Sequence, residues 1–197
     1  MSAGALLLTP GAGADRNQRT LVALEAAVAP VPCSRVDFPY RLQGKRIPDR
    51  PPAAVAHLRA AAADLAATAG VEPGNIVLGG RSYGGRMCSM AVAQGLPAAG
   101  LILLSYPLHP PGKPTERRDK HLPSVGRRML FVQGSRDAFG TPDELSPVVD
   151  ALQPAATLHV VQHGDHSFKL PRKDPAAQSA VHVEVQRVIE AWILSAP

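Results

Sequence analysis

Short apolar runs alternate with amphipathic helical segments along almost the whole chain, and this alternation most constrains the fold. Most of the runs are continuously apolar and end at glycine, proline or polar residues, which is typical of strands buried on both faces. The predicted strands are 5–9, 34–40 (the weakest), 75–80, 101–106, 129–133 and 158–161. The predicted helices are 15–28, 51–70, 83–94, 142–152 and 176–194. This order predicts an α/β fold, a parallel sheet of about six strands with helices on both faces.

Length and composition fit one domain with an aliphatic core. The 197 residues are 45% hydrophobic but only 4% aromatic, and we predict a single domain over 1–197. The net charge of +5 is spread along the sequence, which disfavours a nucleic-acid partner. Cys33 and Cys88 are too few for a disulfide framework. No apolar run has the roughly 20 residues of a membrane span, and 1–14 lack the basic start of a secretory signal, so we expect a cytoplasmic protein with no membrane partner.

Residues 80–84 read Gly-Arg-Ser-Tyr-Gly and match G-x-S-x-G between a predicted strand and a predicted helix. A serine projected from so sharp a turn crowds its neighbours, so glycines are needed two residues to either side. The free N–H groups of the following helix would face an oxyanion formed near the serine. We therefore predict that Ser82 is a nucleophile. The other interpretation is a glycine-rich turn with an incidental serine.

A nucleophilic serine needs a base, and the base needs an orienting carboxylate, both on loops after later strands. Asp137 follows the fifth strand and His166 the sixth, which gives the chain order Ser, Asp, His. We predict these two residues as acid and base. Asp143 and Asp165 compete as the acid, because an aspartate after a strand is often only a turn or cap residue. Three other histidines are interpreted as packed, exposed or helical: His159, His163 and His182.

The loop over 9–14 is rich in small residues, which let backbone N–H groups approach a carbonyl oxygen closely. We predict an oxyanion hole formed by the N–H groups of Ala12 and Tyr83. The same glycines do not fit a dinucleotide site, because Arg16 stands where G-x-G-x-x-G needs glycine. A zinc site around 163–166 lacks its leading histidine. We expect no cofactor and no metal.

The connection over 107–128 is long, proline-rich and basic, and such loops are usually functional or disordered. Arg81 and Arg86 flank the predicted nucleophile. The loop adds further cations: Lys113, Arg117, Arg118 and Lys120. These charges either attract a substrate carboxylate or phosphate or only form a solvated basic surface. Turnover of matched neutral and anionic esters distinguishes the two interpretations.

With these motifs in place, the chain resembles the α/β-hydrolase superfamily, and within it the small dienelactone-hydrolase-like group that includes testis-expressed and chromatin-complex hydrolase-like domains. The resemblance extends from Leu6 to Trp192. It rests on the segments 8–13, 79–85, 106–113, 131–137 and 164–168. It implies a compact α/β-hydrolase fold with strand order 2-1-3-4-5-6, without the leading antiparallel strands or a cap domain, and with the 107–128 loop as the only lid. It also implies the triad Ser82, Asp137 and His166. Pro10 stands where many relatives have histidine.

The expected function is a serine hydrolase that cleaves an ester, thioester or related acyl bond of a small molecule through an acyl-enzyme intermediate. The predicted substrate-binding residues are Gly11, Arg81, Tyr106 and Leu108. The alternative is a catalytically weak hydrolase fold that serves as a protein-interaction module. The sequence gives no basis for predicting an oligomeric state.

Overall fold

The computed structural model describes residues 3–154 and 156–195. Its strands are β1 (Ala5–Thr9), β2 (Cys33–Arg35), β3 (Ile76–Arg81), β4 (Gly100–Leu104), β5 (Met129–Gly134) and β6 (Thr157–Val161). They form one sheet of order β2-β1-β3-β4-β5-β6, and all five pairings are parallel. The predicted parallel sheet and its strand order are therefore confirmed.

The helices are α1 (Arg19–Ala27), α2 (Pro39–Leu42), α3 (Pro51–Ala69), α4 (Tyr83–Ala93), α5 (Pro142–Asp150) and α6 (Pro175–Leu194). Helices α1 and α6 cover one face of the sheet, whereas α3, α4 and α5 cover the other, as predicted. Within the described residues, no helix is both long and apolar enough to cross a membrane.

Both faces of the four central strands are buried, which explains why β1, β3, β4 and β5 are almost continuously apolar. In β1, Leu7 packs in the layer of α3 and α4, whereas Leu6 and Leu8 pack in the layer of α1 and α6. All three side chains are fully buried. Because successive side chains of a strand point to opposite faces, a central strand covered on both sides needs an apolar residue at every position.

The predicted strand over 34–40 is correct only for its first part. Pro39 begins the short helix α2, and the chain leaves the sheet before it. Phe38 and Tyr40 give the sequence its strand-like alternation. Instead, their rings pack edge-on against Tyr83, with ring centroids 5.0 and 6.3 Å away.

Other boundaries also differ from the predictions, two of them for a visible local reason. The predicted helix over 15–28 begins only with α1, because Asp15 Oδ1 accepts the N–H of Asn17 at 2.9 Å and holds this segment in a turn. β4 ends at Leu104, two residues early, because Ser105 adopts a φ of 50° and turns the chain out of the strand. The following connection contains one short 3₁₀ turn, over 122–124, in its described residues.

Candidate active site

Ser82 lies in the sharp turn between β3 and α4, at the carboxyl edge of the sheet. Its backbone has φ 49° and ψ −115°, a conformation that residues other than glycine rarely adopt. A Cβ atom at Gly80 would lie 2.1 Å from Thr9 Oγ1, and one at Gly84 would lie 2.5 Å from the carbonyl oxygen of Pro10. The glycines of G-x-S-x-G are therefore required by the packing of this turn.

Ser82, His166 and Asp137 are joined by hydrogen bonds. Ser82 Oγ lies 2.8 Å from His166 Nε2, and the two Asp137 carboxylate oxygens lie 2.9 and 2.8 Å from His166 Nδ1. The Asp137 side chain is fully buried, whereas that of His166 is 22% exposed. The three side chains come from the loops after β3, β5 and β6, which meet at one edge of the sheet. This arrangement places a base beside the hydroxyl and a carboxylate on the far side of the base.

The competing aspartates have other positions. Asp165 Oδ1 accepts the backbone N–H groups of Ser167 and Lys169 at 2.7 and 2.9 Å, so this carboxylate caps its own turn. Asp143 is exposed in the first turn of α5. Asp137 is thus the carboxylate that the structure places on the His166 ring.

The remaining histidines of this region also lie apart from Ser82. His159 Nε2 lies 2.7 Å from an oxygen of Glu184, and His182 is exposed on α6. His163 is exposed on the loop after β6. Within residues 3–154 and 156–195, no three His, Cys, Asp or Glu side chains are grouped so that they could hold a metal ion.

Two residues that contact the hydrogen-bonded Ser82, His166 and Asp137 were not predicted from the sequence. Gln133, buried in β5, donates from Nε2 to Asp137 Oδ2 at 2.9 Å and accepts the N–H of Tyr106 at 2.8 Å. Phe139 donates its N–H to Asp137 Oδ1 at 2.8 Å and stacks its ring on His166, with centroids 4.1 Å apart. The one signal in the sequence that could have identified them was Gln133, a polar residue inside the otherwise apolar strand β5.

Ala12 and Tyr83, the predicted oxyanion donors, both line the same cavity as Ser82. The N–H groups of the two glycines that flank Ala12 donate to the side chains of Gln18 and Tyr40 at 3.3 and 3.2 Å. Among the described residues, the N–H of Ala12 itself has no acceptor. Tyr83 begins α4, where the first N–H groups lack an intrahelical acceptor. Both N–H groups are therefore free to bind an oxygen.

A cavity of about 420 Å³ opens above Ser82. Its lining is Gly11, Ala12, Ala14, Gln18, Arg81, Ser82, Tyr83, Arg86, Pro107, Arg118, Phe139, His166 and Ser167. Gly11 and Arg81, predicted to bind substrate, lie in this wall. Arg81 also donates from Nη2 to the carbonyl oxygen of His166 at 2.5 Å and to Ser167 Oγ at 2.9 Å, so it holds the histidine loop. A second cavity, about 460 Å³, lies beside α1 and α6 and shares Arg81.

Tyr106 and Leu108, also predicted to bind substrate, do not line this cavity, because both side chains are fully buried in the core. The positive φ at Ser105 turns this part of the chain inward. Tyr106 Oη donates to the carbonyl oxygen of Arg118, and the carbonyl oxygen of Leu108 accepts the N–H of Arg118, both at 2.8 Å. These two residues thus anchor the backbone of an arginine that does line the cavity.

The charge of Arg86 also affects His121, which is linked to Arg86 through the hydroxyl of Ser89. His121 Nε2 is 2.8 Å from Ser89 Oγ, and that hydroxyl is also 2.8 Å from the carbonyl oxygen of Arg86. Burial, followed by the positive charge of Arg86, lowers the pKa of His121 to about 4, although Asp119 acts in the opposite direction. His121 is therefore held in its neutral form.

Acidification from about pH 7 to about pH 5 is expected to destabilise the wild type more than His121→Gln, by about 1–2 kcal/mol. The folded pKa lies below the ordinary value of histidine. In this range the unfolded chain therefore binds a proton that the folded chain does not, and stability falls with pH. Urea unfolding of both proteins at the two pH values measures the difference. An equal loss in both proteins would contradict this account.

Comparison with known proteins agrees with this fold. A protein family described as "Alpha/beta hydrolase domain" matches residues 2–194. Dienelactone hydrolase from Anabaena variabilis superposes with a TM-score of 0.72 at 16% identity, over 98% of this chain and 86% of that chain. Monoacylglycerol lipase from Paleococcus ferrophilus gives a TM-score of 0.71 at 16% identity, over 98% and 95%.

The esterase domain of a Rhodothermus marinus protein superposes with a TM-score of 0.68 at 13% identity, over 98% of this chain and 87% of that chain. At these identities, the structural likeness establishes the fold, and the family match establishes membership. This chain belongs to the alpha/beta hydrolase domain family, and its fold is similar to that of dienelactone hydrolase.

Proposed function

We propose that this chain is a serine hydrolase that cleaves an ester or thioester of a small molecule through an acyl-enzyme intermediate on Ser82. The observation that carries the proposal is the 2.8 Å separation of Ser82 Oγ and His166 Nε2 beneath an open cavity. A hydroxyl this close to an imidazole transfers its proton as it attacks, and this removes the main obstacle to serine as a nucleophile.

The first half of the reaction forms the acyl-enzyme. Ser82 Oγ attacks the acyl carbon while neutral His166 takes the hydroxyl proton on Nε2, and Asp137 stabilises the imidazolium. The oxyanion accepts hydrogen bonds from the N–H groups of Ala12 and Tyr83. The C–O or C–S bond then breaks, and the imidazolium gives its proton to the leaving alkoxide or thiolate.

The second half regenerates the enzyme. His166 takes a proton from a water molecule as that water attacks the acyl carbon of the ester on Ser82. The tetrahedral intermediate again places its oxyanion on the two N–H groups. Its collapse breaks the bond to Ser82 Oγ, which recovers a proton from the imidazolium as the carboxylic acid leaves.

A panel of aryl esters, alkyl esters and acyl thioesters of graded acyl length tests the proposal. We expect the purified chain to release acid from at least one class well above the uncatalysed rate. If the folded chain turned over none of them, the proposal would be contradicted, and the interaction-module interpretation would be favoured.

Gln133→Leu is expected to lower kcat for an ester about 10- to 100-fold while KM changes little, because Asp137 loses a donor and His166 is held less firmly. In the wild type, the Gln133 side chain accepts the N–H of Tyr106 and donates to the carbonyl oxygen of Gly140, both at 2.8 Å. The variant loses both hydrogen bonds. We therefore expect it to be less stable by about 1–3 kcal/mol. Kinetics below its melting temperature separate the two effects, and an unchanged kcat would show that Gln133 does not position Asp137.

A further inference from the structure

The cavity above Ser82 has a strongly basic wall. Its lining contains three arginines, Arg81, Arg86 and Arg118, and no aspartate or glutamate. Arg81 is occupied, because its guanidinium donates to the carbonyl oxygen of His166 and to Ser167 Oγ. The other two cations of this wall are the guanidinium groups of Arg86 and Arg118.

Arg86 lies on α4, one turn after the nucleophile, and its N–H donates to the carbonyl oxygen of Ser82 at 3.0 Å. Its Nε atom is buried and has no hydrogen-bond partner among the described residues. Over the same residues, no carboxylate oxygen lies within 4.0 Å of Arg86 or Arg118. A partly buried cation without a counter-charge is costly, so a ligand that supplies one binds favourably at this point.

Arg118 is held at the cavity by its backbone. Its N–H donates to Leu108 and its carbonyl oxygen accepts from Tyr106, both at 2.8 Å. Burial, followed by the positive charge of Arg86, lowers the pKa of Arg118 below its ordinary value. The fold therefore holds two like charges near each other, which an anion between them would offset.

Two other cations of the same loop, Lys113 and Arg117, have ion-pair partners of their own. The ion pairs are Lys113 with Glu116 at 2.8 Å and Arg117 with Asp119 at 2.5 Å. Arg118 lies between Arg117 and Asp119 in the sequence. The side chains of these two residues bind each other, whereas Arg118 lines the cavity. Local ion pairing thus accounts for the charges beside Arg118 but not for Arg118 itself.

We propose that Arg86 and Arg118 form an oxyanion-binding subsite that holds a carboxylate or phosphate group of the substrate while Ser82 attacks its acyl carbon. The inference rests on the proposed function, since Ser82 performs the cleavage. Guanidinium groups suit this ligand, because their planar N–H donors match two oxygens of a carboxylate or phosphate. The substrate class is therefore an ester or thioester with a second, anionic end.

Two sets of matched substrates test the subsite by kinetics. One pairs an aryl adipate monoester with its methyl ester, and the other pairs an aryl hexanoate with the same ester bearing a terminal phosphate. We expect kcat/KM to be at least about tenfold higher for an anionic substrate than for its neutral counterpart. Arg118→Gln should lower kcat/KM for the anionic substrate by about 10- to 100-fold. The same variant should change kcat/KM for the neutral ester by about threefold or less. The substrate pair with the larger ratio of anionic to neutral kcat/KM shows whether the subsite prefers a carboxylate or a phosphate.

Lys120→Gln is the matched control, because it removes one exposed cation from the same loop. It should leave the ratio of anionic to neutral kcat/KM unchanged, and Arg118→Lys should restore part of the ratio. Equal kcat/KM for both members of each pair, unaffected by Arg118→Gln, would overturn the subsite while leaving the hydrolase intact.

A binding measurement keeps this inference separate from catalysis. Adipate or inorganic phosphate should raise the melting temperature of the wild type and of Lys120→Gln, but not of Arg118→Gln, relative to chloride at equal ionic strength. If this pattern appeared without turnover of any ester, the subsite would stand and the proposed function would fail. If neither anion shifted the melting temperature of the wild type, the subsite would be refuted even for an active enzyme.

Discussion

Ser82→Ala is expected to lower kcat for an ester by about 10⁶-fold, because the attacking atom is removed and no acyl-enzyme can form. The fold should be preserved. Ser82 Oγ makes no capping hydrogen bond to α4, so alanine loses no helix cap. Alanine also carries the same backbone restriction as serine at the φ of 49°, so the turn is not further strained.

The measurement is steady-state hydrolysis of the best ester from the panel, with circular dichroism to verify folding. Ser179→Ala, an exposed serine on α6, is the matched control and should turn over like the wild type. If the Ser82→Ala variant kept kcat within about tenfold of the wild type, the hydrolysis would not proceed through a Ser82 acyl-enzyme.

Asp137→Asn is expected to lower kcat by about 10⁴-fold with little change in KM. In the wild type, the Asp137 oxygens accept hydrogen bonds from Gln133 Nε2, from the N–H of Phe139 and from His166 Nδ1. Asparagine replaces one acceptor oxygen with an NH₂ donor. If this donor faces His166, Nδ1 must accept, and the ring proton moves to Nε2, where it blocks proton transfer from Ser82.

Asp165→Asn is the control for this prediction, because Asp165 is the competing carboxylate beside the histidine. Its Oδ1 accepts two backbone N–H groups, a role that an asparagine oxygen can also fill, so we expect less than about a tenfold change. A larger loss in Asp165→Asn than in Asp137→Asn would exchange the two roles. A near-normal kcat for Asp137→Asn would remove the triad from the mechanism.

The fold could be predicted because its four central strands are buried on both faces, so hydrophobicity marks them. Where hydrophobic residues are buried by loop packing and not in the sheet, hydrophobicity predicted a strand that does not form. Phe38 and Tyr40 are as buried as strand residues, but they pack against Tyr83 outside the sheet. Hydrophobic alternation does not distinguish these two kinds of burial.

The residues at the serine were predicted from position, because the carboxyl ends of parallel strands meet at one edge of the sheet. This rule places Ser82, Asp137 and His166 together without any knowledge of loop conformation. Their catalytic roles remain proposals. The narrower resemblance to testis-expressed and chromatin-complex domains stays a prediction.

Features that depend on loop paths could not be predicted in this way. Tyr106 and Leu108 belong to a loop at the correct edge, but the turn at Ser105 directs them into the core. The pairing of Arg86 with Arg118 depends on where that same loop returns to the cavity. Gln133 was visible as a polar residue in a buried strand, but its partners come from three separate positions in the chain.

The most direct test of the central claim is mass spectrometry of the folded chain after reaction with a fluorophosphonate, which reacts with activated serines. The account predicts one adduct per chain, mapped to Ser82, with the reaction strongly slowed in His166→Ala and absent in Ser82→Ala. No adduct on the folded wild type, or an adduct on another residue at equal rate in all three proteins, would contradict it.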